Sequence, residues 1–237
     1  MLNTILFDLD GTLLPMDLKH FEKLYFGAMA EAFSDLTGPK ELVENIWAST
    51  LAMVKNLEHR TNEDVFMEDF KKRIDVDLKR YKERFDSFYD EGFLKTRDSV
   101  AENKLIQRSV NILKEKGYRV VIATNPLFPA KAVYHRVRWA GFEPSDFDYI
   151  THYENSSYCK PQVQYYKEIL DKINKTATEC MMVGNDVQED LVASEIGMKT
   201  FLIKDHIIHR TEDQIIADHI GEYEDFLKFV EELPSIK

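Results

Sequence analysis

The sequence has little cysteine, no surplus of positive charge and no long apolar run. Of its 237 residues, two are cysteines, Cys159 and Cys180, and their spacing is not that of a metal-ligand pair. That argues against a disulfide scaffold or a thiolate zinc site. Lys and Arg number 31 against 42 Asp and Glu, for a formal net charge of -11. Binding a nucleic-acid backbone needs clustered cations that release counterions, so an acidic chain is a poor candidate for it. The opening apolar residues are interrupted by Asp8 and Asp10 and follow no basic stretch. They do not read as a signal peptide, and no later run approaches membrane-spanning length. The expectation is a soluble protein of a reducing, cytoplasmic compartment, with neither nucleic acid nor membrane as partner. A small phosphate ester stays compatible with the charge, because one metal ion and one lysine can reverse the field locally. No internal repeat or low-complexity segment is present.

Hydrophobic residues make up 44% of the chain and aromatics 12%, enough for a substantial core. The run from Leu2 to Phe7 is apolar and ends in acids and Gly11, which suits a buried parallel strand. Residues 16–97 follow another rhythm. Leu18, Phe21, Tyr25, Ala28, Met29, Ala32 and Leu36 recur at helical spacing, and Gly38-Pro39 closes one helix and opens the next. Leu42, Ile46 and Val54 continue the pattern; Thr61 with Asp64 reads as a capping box; Leu78, Tyr81, Phe85, Phe88 and Tyr89 mark a further amphipathic helix. From about residue 98 helix and strand alternate, with strands predicted at 119–123, 149–151, 180–183 and 200–203 and a helix running from Asp186 to Gly197. Lys160-Pro161 is read as the opening of a helix over 162–173. The pattern predicts an α/β fold, a doubly wound parallel sheet from residues 1–15 and 98–237, interrupted by an all-helical insert over 16–97.

Asp8, Thr124 and Asp186 each fall just past the C-terminal end of a predicted strand, the edge at which open α/β sheets bind ligands. Asp8 and Asp10 are one residue apart, so in extended chain their side chains diverge and can take different tasks: one attacks phosphorus, the other moves a proton. Gly11 allows a close turn that turns backbone N–H groups toward an anion. Thr124 offers a hydroxyl and Asn125 an amide and N–H for a phosphoryl oxygen, and Lys160 a charge to offset the one that builds up during transfer. Asp186 and Asp190 lie four apart and share a helix face. Two acids so placed suit an oxygen-loving cation such as Mg²⁺. Each feature alone is also met as an ordinary turn, cap or solvated side chain.

In this order the residues resemble the haloacid dehalogenase superfamily, most of whose members are aspartyl-phosphate phosphatases. Asp8-x-Asp10-Gly11-Thr12 resembles its first motif, Thr124 its second, Lys160 its third and Gly184-Asn185-Asp186-Val187-Gln188-Glu189-Asp190 its fourth. The insert resembles the helical cap of the subgroup named C1, on a Rossmann-like core. The resemblance implies that Asp8 is the nucleophile and that Asp10 protonates the leaving group and then activates water. It implies that Thr124 and Lys160 hold the phosphoryl group, and that Mg²⁺ binds the Asp8 carboxylate, the Asp10 carbonyl and an acid of the fourth motif. The family usually has Asp directly after the motif-four glycine; here Asn185 stands there and Asp186 follows. Either Asp186 is the ligand, supported by Asp190, or Asn185 ligates through its amide oxygen. Relatives that remove halide typically lack a carboxylate at the position of Asp10, so the resemblance favours phosphate chemistry on a small phosphorylated metabolite.

Other candidates read as structure. His59 and Arg60 belong to a solvated loop, Trp47 to the core of the insert, Cys159 to packing, and Arg136, Arg138 and Lys131 to a basic surface helix. The same motifs also accommodate a sugar phosphomutase, a silent binding or regulatory protein, or a receiver domain phosphorylated on Asp. The paired strand-end acids and the large insert fit the receiver poorly.

Overall fold

The computed structural model describes residues 1–75 and 77–237. Six strands form one parallel sheet: β1 (Thr4–Phe7), β2 (Arg119–Ile122), β3 (Tyr149–Ile150), β4 (Cys180–Gly184), β5 (Lys199–Ile203) and β6 (His219–Gly221), in the spatial order β3-β2-β1-β4-β5-β6. Alternate residues of the central strands serve opposite faces. Ile5, Phe7, Val120, Ile122, Met181 and Val183 pack under α5 (Lys104–Glu115), α6 (Ala130–Trp139) and α9 (Tyr223–Glu232). Leu6, Val121 and Met182 pack under α7 (Val163–Ile173). With both faces covered, every residue of β1 and β4 is buried, which is why these strands read as unbroken apolar runs.

Between β1 and β2 lie α1 (Leu18–Ala32), α2 (Pro39–Val54), α3 (Asn62–Lys71) and α4 (Leu78–Asp90), then a 3₁₀ stretch, Gly92–Ser99. Local signals set their starts. Asp17 accepts from the His20 N–H, Pro39 opens α2, and Thr61 accepts from the Asp64 N–H. These helices bury a second core of their own, rich in rings, with Phe33, Phe70 and Phe93 fully shielded. The two chain crossings into the insert lie side by side. Met16 bridges Val100, the Asp17 N–H donates to the Ser99 carbonyl, and the Ala101 N–H donates to that of Pro15.

Three expectations are corrected. The helix after Asp186 is only α8 (Val187–Asp190), continued as 3₁₀ turns over Leu191–Ile196 to Gly197 at φ +86°. The Lys160-Pro161 bond is cis and the following helix starts later, at Val163 with Gln162 as its cap. Beyond 199–203 the chain adds β6 and α9. The new strand is three residues long on the sheet edge, with His219 and Ile220 exposed, so it carries no apolar run to read.

Candidate active site

The strand order reverses between β1 and β4, and a crevice opens at such a switch point, off the C-terminal strand ends. Asp8 follows β1 directly; Asn185 and Asp186 follow β4. Thr124 lies two residues past β2, and Lys160 sits in the loop before α7. All five are buried.

Lys160 is the hub. Its ammonium lies 2.8 Å from Asp8 Oδ1 and 2.7 Å from Asp190 Oδ1, and it is 1% exposed. Burial works against this ammonium, but Asp190 and Asp8 outweigh it and hold its pKa above the usual lysine value. Burial lifts the Asp8 carboxyl, to about 8; Lys160 opposes the rise and Asp190 adds to it. Asp8 Oδ2 has no partner among the described residues and is the oxygen left for chemistry.

Thr124 is held through its backbone. Its carbonyl accepts from the Thr151 hydroxyl at 2.7 Å and from the Tyr165 hydroxyl at 2.8 Å, and its own hydroxyl bonds to none of the described residues. The Asn125 amide does not reach toward an anion as expected. It donates to Glu189 Oε2 at 3.0 Å and accepts from the Lys160 N–H at 3.2 Å, tying the third motif to the fourth. Gly11, at φ +83°, makes the close turn expected of it. Its N–H closes a turn onto the Leu14 carbonyl, leaving the N–H groups of Leu9 and Asp10 without partners among the described residues. A β-carbon on Gly11 would meet the Asn185 amide at 2.4 Å, so only glycine fits here.

The fourth motif separates its tasks. Asn185 accepts from the Thr12 hydroxyl at 2.9 Å and donates to the His206 carbonyl at 2.7 Å, which engages both ends of its amide. Asp186 caps α8 through the N–H groups of Gln188 and Glu189 and pairs with Arg210 at 2.7 Å. Asp190 does not stand beside Asp186 facing a shared cation. It turns inward, one oxygen on Lys160 and the other accepting from the Asp186 N–H at 2.9 Å. Among the described residues no three His, Cys, Asp or Glu side chains are gathered to hold a metal, since Lys160 and Arg210 stand against these acids.

Arg136 corrects the reading of a surface helix. It is 1% exposed and its guanidinium pairs with Asp10 Oδ2 while lying 4.6 Å from the centre of the Phe128 ring. Asp10 Oδ1 and Arg136 Nη2 are buried without partners among the described residues. Burial raises the Asp10 carboxyl above its usual range, and Arg136, then Lys160, oppose the rise. The sequence did carry the signal: Ala132, Val133, Arg136 and Val137 form the buried stripe of α6, and a lone arginine on such a stripe requires a buried acid. Arg210 offered none, being one polar residue in a polar loop. His59 is exposed and Arg60 pairs with Glu68, as solvated loop residues do. The Cys159 thiol is buried and pushed up to about 12 by that burial, so it stays a packed thiol. Trp47, expected in the insert core, is 52% exposed instead.

Similar proteins share the fold. Solved structures that match over nearly the whole chain include a HAD phosphatase from Thermococcus onnurineus, 18% identical with a TM-score of 0.60, covering 99% of this chain and 100% of that one. A predicted phosphoglycolate phosphatase from Haemophilus somnus 129PT is 18% identical with a TM-score of 0.59, covering 96% and 97%. The L-2-haloacid dehalogenase of Xanthobacter autotrophicus is 14% identical with a TM-score of 0.58, covering 98% and 100%. These share the fold. Among curated proteins none matches. The family model for haloacid dehalogenase-like hydrolases matches residues 2–195, a span that holds Asp8, Thr124, Lys160 and Asp186, and the chain belongs to that family.

Proposed function

We propose that the chain is a magnesium-dependent phosphohydrolase that cleaves a small phosphate monoester through an aspartyl-phosphate on Asp8, with the helical insert over 16–97 as its cap. The observation that carries this is the Asp8–Lys160–Asp190 chain. One buried lysine fixes one oxygen of Asp8, and among the described residues neither the other oxygen nor the Thr124 hydroxyl has a partner. In the first step Asp8 Oδ2 attacks phosphorus, the P–O bond to the alcohol breaks, and Asp10 gives the leaving oxygen a proton. Burial raises the Asp10 carboxyl above its usual range, the direction that favours a group which carries a proton. In the second step Asp10 takes a proton from water, whose oxygen attacks phosphorus and frees Asp8. Thr124 and the N–H groups of Leu9 and Asp10 bind phosphoryl oxygens, while Lys160 offsets their charge.

The residues fit a divalent cation by charge and donor type. Asp8, Asp186, Glu189 and Asp190 are four carboxylates against two cations, Lys160 and Arg210, while Asp10 is matched by Arg136. Hard oxygen donors of this kind suit Mg²⁺. The Asp8 carboxylate, the Asp10 carbonyl and Asp186 would hold it once Arg210 yields; both ends of the Asn185 amide are engaged, which favours Asp186. Bound there, Mg²⁺ would supply positive charge to the phosphoryl oxygens. The buried free thiols of Cys159 and Cys180 suit a reducing cytoplasm, and among the described residues no helix is long and apolar enough to cross a membrane.

The test is a set of phosphate monoesters assayed with and without Mg²⁺, with Asp8→Asn as control. Turnover that needs Mg²⁺ and drops by at least about 1,000-fold in Asp8→Asn is expected. Unchanged turnover in that variant sinks the mechanism.

A further inference from the structure

An apolar cavity of about 200 Å³ lies between the insert and the loop that follows β2. Phe21, Tyr25, Ile46, Trp47 and Met67 of the insert line it, together with Leu127 and Phe128 from the loop after β2. Glu22 is its one charged lining residue among those described, so nothing there would neutralise an anion. The Tyr25 and Tyr89 hydroxyls bond to each other at 2.9 Å, which leaves Thr50 and Tyr153 as the other uncharged polar residues in the lining. Leu18 and Trp47, 50% and 52% exposed, also line it and leave it open to solvent.

Two features tie the cavity to the site. Leu127 is three residues beyond Thr124, so their Cα atoms lie within about 11 Å of each other even in fully extended chain. Phe128, on the same wall, carries over its ring the guanidinium that pairs with Asp10, the group that would meet the leaving oxygen. Apolar cavities of about 150 Å³ take up a benzene ring, so this one has room for a ring and a short linker.

We propose that this cavity receives the alcohol portion of the substrate and that the substrate is a phosphate monoester of an uncharged, apolar alcohol carrying a ring or branched chain. The inference rests on the phosphohydrolase reading above. A second phosphate or a carboxylate on the alcohol is disfavoured, because it would face Glu22 with no cation to meet it. The specificity therefore departs from the substrate in the name of the Haemophilus somnus relative.

The experiment compares primary phosphate esters of similar intrinsic reactivity: 2-phenylethyl phosphate, ethyl phosphate, phosphoglycolate and glucose 6-phosphate, with Mg²⁺. A kcat/KM for 2-phenylethyl phosphate at least roughly 10-fold above each of the others is expected, the size one well-filled apolar group supplies. In Trp47→Ala, whose exposed side chain can be removed without unfolding the protein, that ratio should fall toward one. Equal or reversed preference in the wild type overturns the proposal and leaves the phosphohydrolase standing. If none of the esters turns over, the hydrolase reading fails, and the cavity is read by fluorescence. With Trp139→Phe, Trp47 is the only tryptophan. A saturable change in its emission on adding 2-phenylethanol upholds apolar binding, and no change overturns it.

Discussion

The sheet edge and the helical insert bury opposite things. At the edge Asp8, Lys160, Asp190 and Arg136 are charged groups shielded from water, each needing an exact partner from a distant part of the chain. In the insert Phe21, Tyr25, Phe33, Phe70, Phe85 and Phe88 meet as rings, with centroids 4.8 to 6.4 Å apart where they touch, as in Phe33–Phe85 and Phe33–Phe88. A charge network tolerates no substitution, because the abandoned partner stays buried and unpaired. Ring packing asks only for volume and shape, so its members can change while the fold persists. Chemistry belongs on the first kind of interior, and adjustable recognition on the second.

Three substitutions probe that contrast. The largest effect is expected of Lys160→Met, which leaves Asp8 and Asp190 buried without their cation. It should lower stability by about 3–5 kcal/mol. Turnover should fall with it, so denaturant melts and kinetics must both respond; a loss of activity with unchanged stability would contradict the account of a charge network. Next is Phe33→Ala in the insert, where the ring is fully buried against Phe85. A loss of about 3 kcal/mol is expected from the cavity. The ester hydrolysis that remains at low temperature should keep its dependence on Asp8, because no group at the sheet edge is touched. A comparable loss from a volume-conserving Phe33→Leu would show that the insert is less permissive than argued. The smallest is Arg210→Ala. Arg210 is half exposed, so stability should change by less than about 1 kcal/mol. Mg²⁺ affinity, measured by calorimetry, should rise severalfold as Asp186 loses its competing cation; weaker binding would mean that Arg210 supports the metal site.

How far the sequence could be read follows the same division. Strands β1 and β4 were legible because burial on both faces demands unbroken apolar residues, and the helices of the insert because rings recur at their spacing. The positions of Asp8, Asp10 and Thr124 at the sheet edge were legible because strand ends and a glycine turn mark them, whereas Lys160 was marked only by the resemblance. Asn125 was placed correctly but given the wrong partners, since a side chain's neighbour at a distance of 64 residues, as for Asn125 and Glu189, leaves no local trace. The β6 strand and Arg210 were not legible at all, one too short and the other in a featureless loop.

By itself the sequence determined the sheet-and-insert architecture and the acids that reach the sheet edge, because periodicity and turn chemistry are local properties of the chain. Only the tertiary structure decided which charge faces which: Arg136 buried against Asp10, Arg210 on Asp186, and Asp190 turned to Lys160. The physical reason is that a buried charge is tolerated only where a partner arrives from elsewhere in the chain, and that arrival is set by how the strands and helices pack.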